Sequence, residues 1–139
     1  MTKRLGGLAA ALFLLLPAAA AAETTWVFSA SAPIVGTGGG YVIHQFKLTT
    51  GVWPVAPGHT AGVVYSWDNW NTAQWGTLTW QYNQANAYGS QDEVWKGAFE
   101  IPPYISFSTV QFAIYVDDAS GNRTWNNNNG RNFAVAKGQ

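Results

Sequence analysis

The sequence predicts an all-β domain: an antiparallel, immunoglobulin-like β-sandwich of seven to eight strands. Three observations favour this class. Short runs rich in β-branched and aromatic residues recur at regular spacing, clusters of glycine, proline, asparagine and aspartate separate them, and helical periodicity is absent after residue 22. The predicted strands lie at 24–30, 41–49, 60–66, 77–82, 94–101, 109–117 and 131–136.

The individual strands are assigned from composition and alternation. The first is rich in Thr, Trp, Val and Phe, and the second carries His44, Phe46 and Leu48 on one face. The third reads TAGVVYS, and the fifth ends at a Pro-Pro pair, because proline cannot donate to the ladder. The sixth alternates most cleanly, and its inward face is predicted to carry Val110, Phe112, Ile114 and Val116. Loops or turns are predicted between the strands, at 34–40, 51–58, 67–75, 84–91 and 117–122.

The first 22 residues are predicted to be a secretory signal peptide. Lys3 and Arg4 precede an apolar run at 5–16, and the alanine tract ending at Ala22 supplies the small residues of a cleavage site. Cleavage there would leave one domain at 23–139 and place the protein in the periplasm or outside the cell. The apolar run is short for a membrane span, so a retained anchor is the less favoured alternative.

Composition and charge restrict the partners of the predicted domain. Charged residues make up 10% of the 139-residue chain, and without Lys3 and Arg4 five basic and seven acidic residues give a net charge of −2. No basic field is present to attract phosphates, so nucleic acid is not an expected partner. The chain has no cysteine and eight tryptophans. A small core cannot bury all eight indoles, so several should lie at the surface, where aromatic patches usually mark binding sites.

An asparagine-rich stretch near the C-terminus, WNNNNGRNF at 125–133, is the strongest candidate for a binding loop. Asparagine and glycine tolerate positive φ and disfavour helix and strand interiors, so the run predicts a tight turn. Trp125 and Phe133 flank amides that both donate and accept hydrogen bonds. A flat apolar ring beside amides suits a sugar, which has apolar faces and a hydroxyl rim. The alternative is a hairpin loop whose aromatic residues only pack.

A second aromatic stretch, WDNWNTAQW at 67–75, places three tryptophans within nine residues. Its aspartate and asparagine residues predict a turn, and we expect the indoles at its tip to project away from the sheet. Trp53, in the predicted turn at 51–58, is either a loop anchor or an exposed platform.

Together the two stretches resemble the starch- and glycogen-binding modules of carbohydrate-binding family 21. VVYSWDNW at 63–70 is similar to that family's strand ending in an Asp-Asn-Trp turn. VQFAIYV at 110–116 precedes WNNNNGRNF as an apolar strand precedes that family's Asn-rich loop between two aromatics, and VWKGAFEIP at 94–102 fits the strand between. Residues 23–60 match only in strand pattern.

The resemblance implies a non-catalytic module that binds α-glucan of the starch or glycogen type by aromatic stacking and amide hydrogen bonds. It implies Trp70 and Trp125 as stacking rings and Asn127 as a hydrogen-bonding amide. No cofactor is implied, and the protein is expected to be monomeric. The predicted carbohydrate-binding residues are Trp70, Trp75, Tyr115, Trp125, Asn127 and Asn128, and a second site is assigned to Trp80, Tyr82 and Tyr88.

Two positions depart from the family pattern. Asn126 replaces the usual aspartate; it can make the same turn, but it brings no charge. Ala113 stands where some members carry a third aromatic residue. Because a methyl group cannot stack on a sugar, either the first site is weaker or that contact moves to Tyr115.

An enzyme is a less favoured alternative. Glycoside hydrolysis needs two opposed carboxylates, whereas most acidic side chains here fall in predicted turns. His44 and His59 stand alone and are predicted to be structural rather than metal ligands, and the adjacent Asp117 and Asp118 suit a hairpin turn better than a calcium site. The other alternative is a structural or protein-interaction sandwich in which the tryptophans pack against a partner.

Overall fold

The computed structural model describes residues 23–139, and the predicted signal peptide at 1–22 lies outside the described residues. Every regular element in the described part of the chain is a β-strand. The ten strands are β1 (Thr24–Ser31), β2 (Ile34–Gly38), β3 (Tyr41–Trp53), β4 (Thr60–Ser66), β5 (Gln74–Thr77), β6 (Thr79–Ala85), β7 (Gln91–Ile101), β8 (Thr109–Asp117), β9 (Arg123–Asn126) and β10 (Phe133–Ala136).

The strands form two sheets that pack face to face. One, the β3 sheet, has the order β1-β3-β7-β6, with β2 also paired to β3. The other, the β8 sheet, has the order β10-β8-β4-β5, with β9 also paired to β8. Every pairing between these strands is antiparallel. The predicted class, an all-β antiparallel sandwich, is therefore confirmed, with ten strands in place of seven to eight.

Aromatic rings from both sheets meet in the core. Phe46 of β3 is fully buried, and its ring centroid lies 5.1 Å from Tyr65 and 5.0 Å from Phe112 in the β8 sheet. The predicted inward face of β8 is confirmed, since all its members are buried: Val110, Phe112, Ile114 and Val116. The intervening side chains of β8 therefore lie on the outward face of its sheet.

The predicted loops on either side of the second predicted strand contain strand structure. The loop predicted at 34–40 holds β2, which pairs with β3 across a two-glycine turn. The turn predicted to begin at residue 51 is also wrong at its start, because β3 continues to Trp53, which pairs with Thr24 of β1. Glycine-rich segments favour a turn prediction. Here hydrogen bonding to a neighbouring strand keeps these segments extended.

β5 and β9 have no counterpart among the predicted strands. β5 pairs Trp75 with Val64 of β4, so the turn that begins at Trp67 ends before Trp75. β9 pairs Trp125 with Tyr115 of β8, so this indole projects from a strand rather than from a loop tip. Each of these strands has four residues, too few for alternation to be recognised. β4 and β8 have their predicted bounds, while ends of β6, β7 and β10 differ by two or three residues.

Phe46→Ala is predicted to lower the free energy of unfolding by about 3–5 kcal/mol, because it removes packing against Tyr65 and Phe112 and leaves a cavity. Lys47→Ala, at the exposed neighbouring position, should change this free energy by less than about 0.5 kcal/mol. Urea denaturation measures both. A Phe46→Ala variant as stable as the parent would show that the two sheets do not depend on this ring.

Candidate functional site

An open groove on the outward face of the β8 sheet brings together the two principal stacking candidates, Trp70 and Trp125. Its volume is about 330 Å³. The residues that line it, which define the Trp70 groove, are Val64, Trp70, Ala113, Trp125, Asn127 and Asn132. The structure thus places three of the predicted site residues around one space, and the small side chain of Ala113 leaves that space unfilled.

A tight turn between β4 and β5 holds Trp70. Asn69 and Trp70 have positive φ angles of 58° and 68°, a conformation that is unusual for a residue as bulky as tryptophan. The buried hydroxyl of Ser66 accepts hydrogen bonds from the backbone N–H groups of Trp70, at 2.9 Å, and Asp68, at 3.2 Å. The buried Ser66 hydroxyl stabilises this strained backbone conformation. Such strain indicates that the direction of the Trp70 side chain matters for function.

Gln111 and Asp68 fix the same turn through their side chains. Trp70 Nε1 donates to Gln111 Oε1 at 3.2 Å, and Gln111 Nε2 donates to Asn69 Oδ1 at 3.1 Å. Asp68 accepts hydrogen bonds from the hydroxyl and the backbone N–H of Thr72, which lower the pKa of its carboxyl group. The carboxylate of Asp68 therefore stays ionised, and its oxygens accept hydrogen bonds within the turn. This does not suit a general acid, which must carry a proton to donate.

The asparagine run forms a turn that presents amides to the groove. Asn126 anchors it, since its Nδ2 donates to the Thr25 carbonyl at 2.8 Å and its Oδ1 accepts from the Asn128 N–H at 3.0 Å. Asn127 Oδ1 accepts from the Gly130 N–H at 2.9 Å, while its Nδ2 has no hydrogen-bond partner in the described chain. Left-handed backbone angles occur at four positions of the predicted turn: Asn128, Asn129, Gly130 and Asn132.

Trp125 belongs to an aromatic cluster on the same face of the sheet. Its ring centroid lies 5.1 Å from that of Tyr115 and 6.0 Å from that of Trp75, at interplanar angles of 56° and 68°. Neither neighbour is parallel to the indole of Trp125, so neither stacks over its face. Trp125 is 44% exposed and Trp75 is 60% exposed. The predicted site residues Trp75 and Tyr115 therefore adjoin the Trp70 groove without lining it.

Arg123 covers the ring of Tyr115. Its guanidinium carbon lies 3.8 Å from the ring centroid, a cation–π contact. The same guanidinium makes two hydrogen bonds to Asp117, at 2.7 Å and 2.9 Å, which lower the pKa of that carboxyl group. Tyr115 also lies against Gly62, where a Cβ atom would overlap the ring. Tyr115 is thus packed between neighbours and supports the cluster around Trp125.

Two further carboxylates, those of Glu93 and Asp118, are engaged in structural contacts on separate elements. Glu93 is buried and accepts a hydrogen bond from His59. Asp118 accepts from backbone N–H groups of its own turn, that of Asn122 above all, which lowers the pKa of its carboxyl group. Within residues 23–139 no group of three or more His, Asp or Glu side chains is placed to hold a metal ion.

A second groove, of about 550 Å³, lies on the outward face of the β3 sheet. The residues that line it, which define the Trp53 groove, are Thr24, Trp26, Trp53, Asn86, Tyr88, Ser90 and Asp92. Trp26 lies across Gly51, where a Cβ atom would overlap the indole. Asn86 shapes the β6–β7 turn by accepting hydrogen bonds from the backbone N–H groups of Tyr88 and Ser90. The ring of Tyr88 is almost fully exposed at the tip of this turn.

The three residues predicted for a second site do not share one groove. Tyr88 lines the Trp53 groove, whereas Trp80 lines a different groove of about 360 Å³. Tyr82 is exposed on β6 and lines neither of them. The structure therefore joins Tyr88 with Trp26 and Trp53 rather than with Trp80 and Tyr82.

Several residues that build the two grooves escaped the sequence-based prediction. Gln111 could have been found from the outward alternation of β8, the same pattern that identifies Tyr115. Asn132 lies inside the recognised asparagine run but outside its first four positions. Trp26 was not singled out, whereas Trp53, considered either a loop anchor or an exposed platform, is 41% exposed at the end of β3. Both come from the segment that matches the family only in strand pattern, and no sequence signal connects them with Tyr88.

The fold and the grooves define a class: a β-sandwich domain whose two outward sheet faces carry exposed aromatic rings. Residues 23–139 contain no helix with the length and hydropathy that a membrane span requires. No protein-family model matches the chain, and no curated protein matches it.

A solved structure, the solution structure of the carbohydrate-binding module of the muscle glycogen-targeting subunit of protein phosphatase-1, is similar to this one. The TM-score is 0.54 at 20% sequence identity, and the match covers 83% of this chain and 76% of that chain. At this identity the likeness concerns the fold. It confirms the fold implied by the resemblance to carbohydrate-binding family 21.

Ser66→Ala is predicted to lower the free energy of unfolding by about 1–3 kcal/mol, because the N–H groups of Asp68 and Trp70 lose their shared acceptor. The NMR resonance of the Trp70 indole N–H should also shift or broaden as the turn loosens. Ser120→Ala is the matched control, since the Ser120 hydroxyl is exposed and makes no hydrogen bond in the described chain. Unchanged stability together with an unchanged Trp70 resonance in Ser66→Ala would contradict this role.

Proposed function

We propose that the domain is a non-catalytic carbohydrate-binding module for α-glucans of the starch or glycogen type. The observation that carries this proposal is the Trp70 groove, where two indole rings and the side chain of Asn127 line one open space of about 330 Å³. The amide nitrogen of Asn127 has no hydrogen-bond partner within residues 23–139. Apolar rings beside a few amide groups complement the apolar face and the hydroxyl rim of a glucosyl unit.

Stacking on the indoles of Trp70 and Trp125 would supply most of the affinity. A glucosyl ring has axial C–H groups on one face, and covering roughly 100 Å² of apolar surface contributes about 2–3 kcal/mol. Each hydroxyl–amide hydrogen bond adds about 1 kcal/mol, and part of the total is lost to ordering the sugar. The sum corresponds to a dissociation constant in roughly the μM to mM range.

The asparagine turn would supply the hydrogen bonds to sugar hydroxyls. Asn127 offers its Nδ2 as a donor, because its Oδ1 is already used by the Gly130 N–H. Asn128 offers its Oδ1 as an acceptor, because its Nδ2 donates to the Asn132 carbonyl at 3.2 Å. Asn127 and Asn132 line the groove, whereas the predicted site residue Asn128 belongs to the same turn without lining the groove. A donor and an acceptor from one turn suit a hydroxyl group, which can both accept and donate.

Trp75 and Tyr115 are assigned a supporting part in the same site. Both rings pack against Trp125 at inclined angles and limit its side-chain rotation. A binding ring that is already ordered loses less conformational entropy when the sugar arrives. Trp75 is exposed enough to meet a longer glucan chain that extends beyond the groove.

Two findings support an α-glucan as the ligand. The structural neighbour is described as the carbohydrate-binding module of a glycogen-targeting subunit. The stretches at 63–70 and 125–133 resemble a family that binds starch and glycogen. Asp68, in the turn that holds Trp70, and Asp117, at the end of β8, accept hydrogen bonds from Thr72 and Arg123, which supports binding without catalysis.

Export is part of the proposal. The basic residues Lys3 and Arg4, the apolar run that follows and the alanine tract ending at Ala22 support a cleaved signal peptide and a periplasmic or extracellular module. We infer that the cleaved module acts as a monomer that is not attached to a membrane. The low charge of the chain argues against a nucleic-acid partner.

A structural or protein-interaction domain is the second candidate. The observation that favours it is the β2–β3 hairpin, which exposes four apolar side chains: Ile34, Val35, Tyr41 and Val42. Exposed apolar patches also serve as protein-binding surfaces. This candidate requires a partner protein and leaves the amides of the Trp70 groove without a role.

We propose the Trp53 groove as a second surface for the same ligand. It offers three aromatic rings, from Trp26, Trp53 and Tyr88, beside the polar side chains of its turn. The two grooves lie on the outward faces of different sheets, so a short oligosaccharide occupies one of them at a time. A branched or long polymer can reach both, and such bridging raises the apparent affinity without new contacts.

In affinity electrophoresis with soluble starch, glycogen, β-glucan or no polysaccharide in the gel, the two α-glucans alone should retard the domain. Trp70→Ala and Trp125→Ala should each weaken binding to starch at least about tenfold, since each removes a stacking ring. Tyr104→Ala, an exposed aromatic residue outside both grooves, should migrate like the parent. Full retardation of both tryptophan variants would rule out this groove, and release of reducing sugar from amylose would indicate an enzyme.

If the Trp53 groove is a second binding surface, the variants should lose retardation by starch to different degrees in the same gels. Trp53→Ala should weaken starch binding less than Trp125→Ala does, and the double variant should show no retardation, because neither groove then keeps its central ring. Trp80→Ala is the control for an exposed indole in a different groove. A double variant retarded as strongly as Trp125→Ala alone would exclude the Trp53 groove. Weaker retardation of Trp80→Ala would instead place Trp80 in the second site, as the sequence predicted.

A further inference from the structure

Three ionisable side chains that are far apart in sequence form one chain of hydrogen bonds beside the start of β1. His59 Nδ1 lies 2.9 Å from Glu93 Oε2 of β7, and His59 Nε2 lies 2.5 Å from Glu23 Oε1, immediately before β1. The side chain of His59 is 2% exposed, that of Glu93 4% and that of Glu23 15%. None of the three lines the Trp70 groove or the Trp53 groove.

With both carboxylates ionised, the two contacts of His59 fit a protonated imidazole. A neutral imidazole has one N–H donor, and a carboxylate only accepts hydrogen bonds. With a carboxylate on each ring nitrogen, the imidazolium alone satisfies both. Burial opposes this charge, but the hydrogen bonds and charges of Glu93 and then Glu23 outweigh it and raise the pKa of His59 above its ordinary value of 6.5.

Loss of the proton would break the contact with Glu23 first. Glu93 keeps two other donors, the backbone N–H of Ala56 at 3.0 Å and the indole of Trp95 at 2.9 Å. Glu23 has no other hydrogen-bond partner in the described chain, and it is the more exposed carboxylate. A neutral imidazole would therefore keep its single N–H on Glu93 and release Glu23.

The remaining surroundings of His59 carry no charge. The groove next to it is lined by residues 55–58, by Trp80 and Asn83 of β6, and by Trp95 of β7. None of these side chains ionises in the accessible pH range. Within the described chain, the side-chain charges that face His59 are thus those of Glu23 and Glu93. Cleavage after Ala22 would add the α-amino group of Glu23, which titrates in the same pH interval, and the His59→Gln variant separates its effect from that of the imidazole.

Glu23 leads directly into the wall of the Trp53 groove. Thr24 lines that groove and pairs with Trp53 across the β1–β3 ladder. Thr25 is held independently, because its hydroxyl donates to the Gly51 carbonyl at 2.8 Å and its carbonyl accepts from Asn126 at 2.8 Å. Release of Glu23 would therefore allow Thr24 to move, whereas Thr25 would stay in place. The structure of the Trp70 groove would not change.

We propose that His59 is a positioning residue for the Trp53 groove: as an imidazolium it holds Glu23, and through it Thr24, against Trp53, and as a neutral imidazole it releases them. This inference rests on the proposed second binding surface. Because folding raises the pKa of His59, the stabilisation is fully present below pH 6.5 and is lost as the pH rises through the folded-state pKa. Binding of α-glucan in the Trp53 groove should thus weaken in alkaline solution.

The test separates the two grooves by mutation. Trp125→Ala leaves the Trp53 groove intact and Trp53→Ala leaves the Trp70 groove intact, and calorimetry measures the binding of maltoheptaose to each at pH 5.5 and pH 8.5. Trp125→Ala should bind about threefold more weakly at the higher pH, whereas Trp53→Ala should bind equally at both. Adding His59→Gln to Trp125→Ala should remove the pH dependence, because glutamine does not titrate.

A second readout follows the same contact without sugar. In NMR titrations of the parent protein, the amide resonance of Thr24 should move with the protonation of the His59 ring, and that of Thr25 should move little. Binding by Trp125→Ala that is independent of pH, or a pH dependence that persists after His59→Gln, would overturn the proposal. If Trp125→Ala binds no sugar at either pH, the second surface is excluded, and the Thr24 titration still decides whether His59 holds this end of β1.

Discussion

The alternation of β8 is the constraint on which both the fold and the proposed site depend. This strand lies between β4 on one side and β9 and β10 on the other, and burial of its four inward side chains determines its register. A shift by one residue would turn Gln111, Ala113 and Tyr115 into the core. It would remove the hydrogen bond that orients Trp70 and the ring that supports Trp125. Core packing thus sets the direction of the binding face.

Hydrogen bonds within the turns then orient individual side chains on that face. Trp70 occupies a left-handed backbone conformation that the Ser66 hydroxyl and the Gln111 amide hold in place. The asparagine turn uses the amide of Asn126 for its own anchoring and leaves groups on Asn127 and Asn128 for a ligand. Residues that order the turn and residues that meet the sugar are therefore separate members of one short stretch.

Sequence patterns predict the long strands and the main groove better than the short strands and the second groove. β4 and β8 were recognisable because seven and nine residues alternate or carry β-branched side chains, whereas β5 and β9 are held only by their neighbours. Trp70 and Trp125 each lie in a distinctive motif. The Trp53 groove and the contact of His59 with Glu23 and Glu93 join segments far apart in sequence, and only the sheet topology brings them together.

The central claim is that a glucan chain lies against the rings of the Trp70 groove. The most direct measurement is a ¹H–¹⁵N NMR titration with maltoheptaose, with cellohexaose as the β-linked comparison. If the glucan binds there, the indole N–H resonances of Trp70 and Trp125 and the side-chain amide resonance of Asn127 should move together as maltoheptaose is added and stay in place with cellohexaose. Resonances of this groove that remain unmoved by maltoheptaose, while the protein still binds starch, would contradict it.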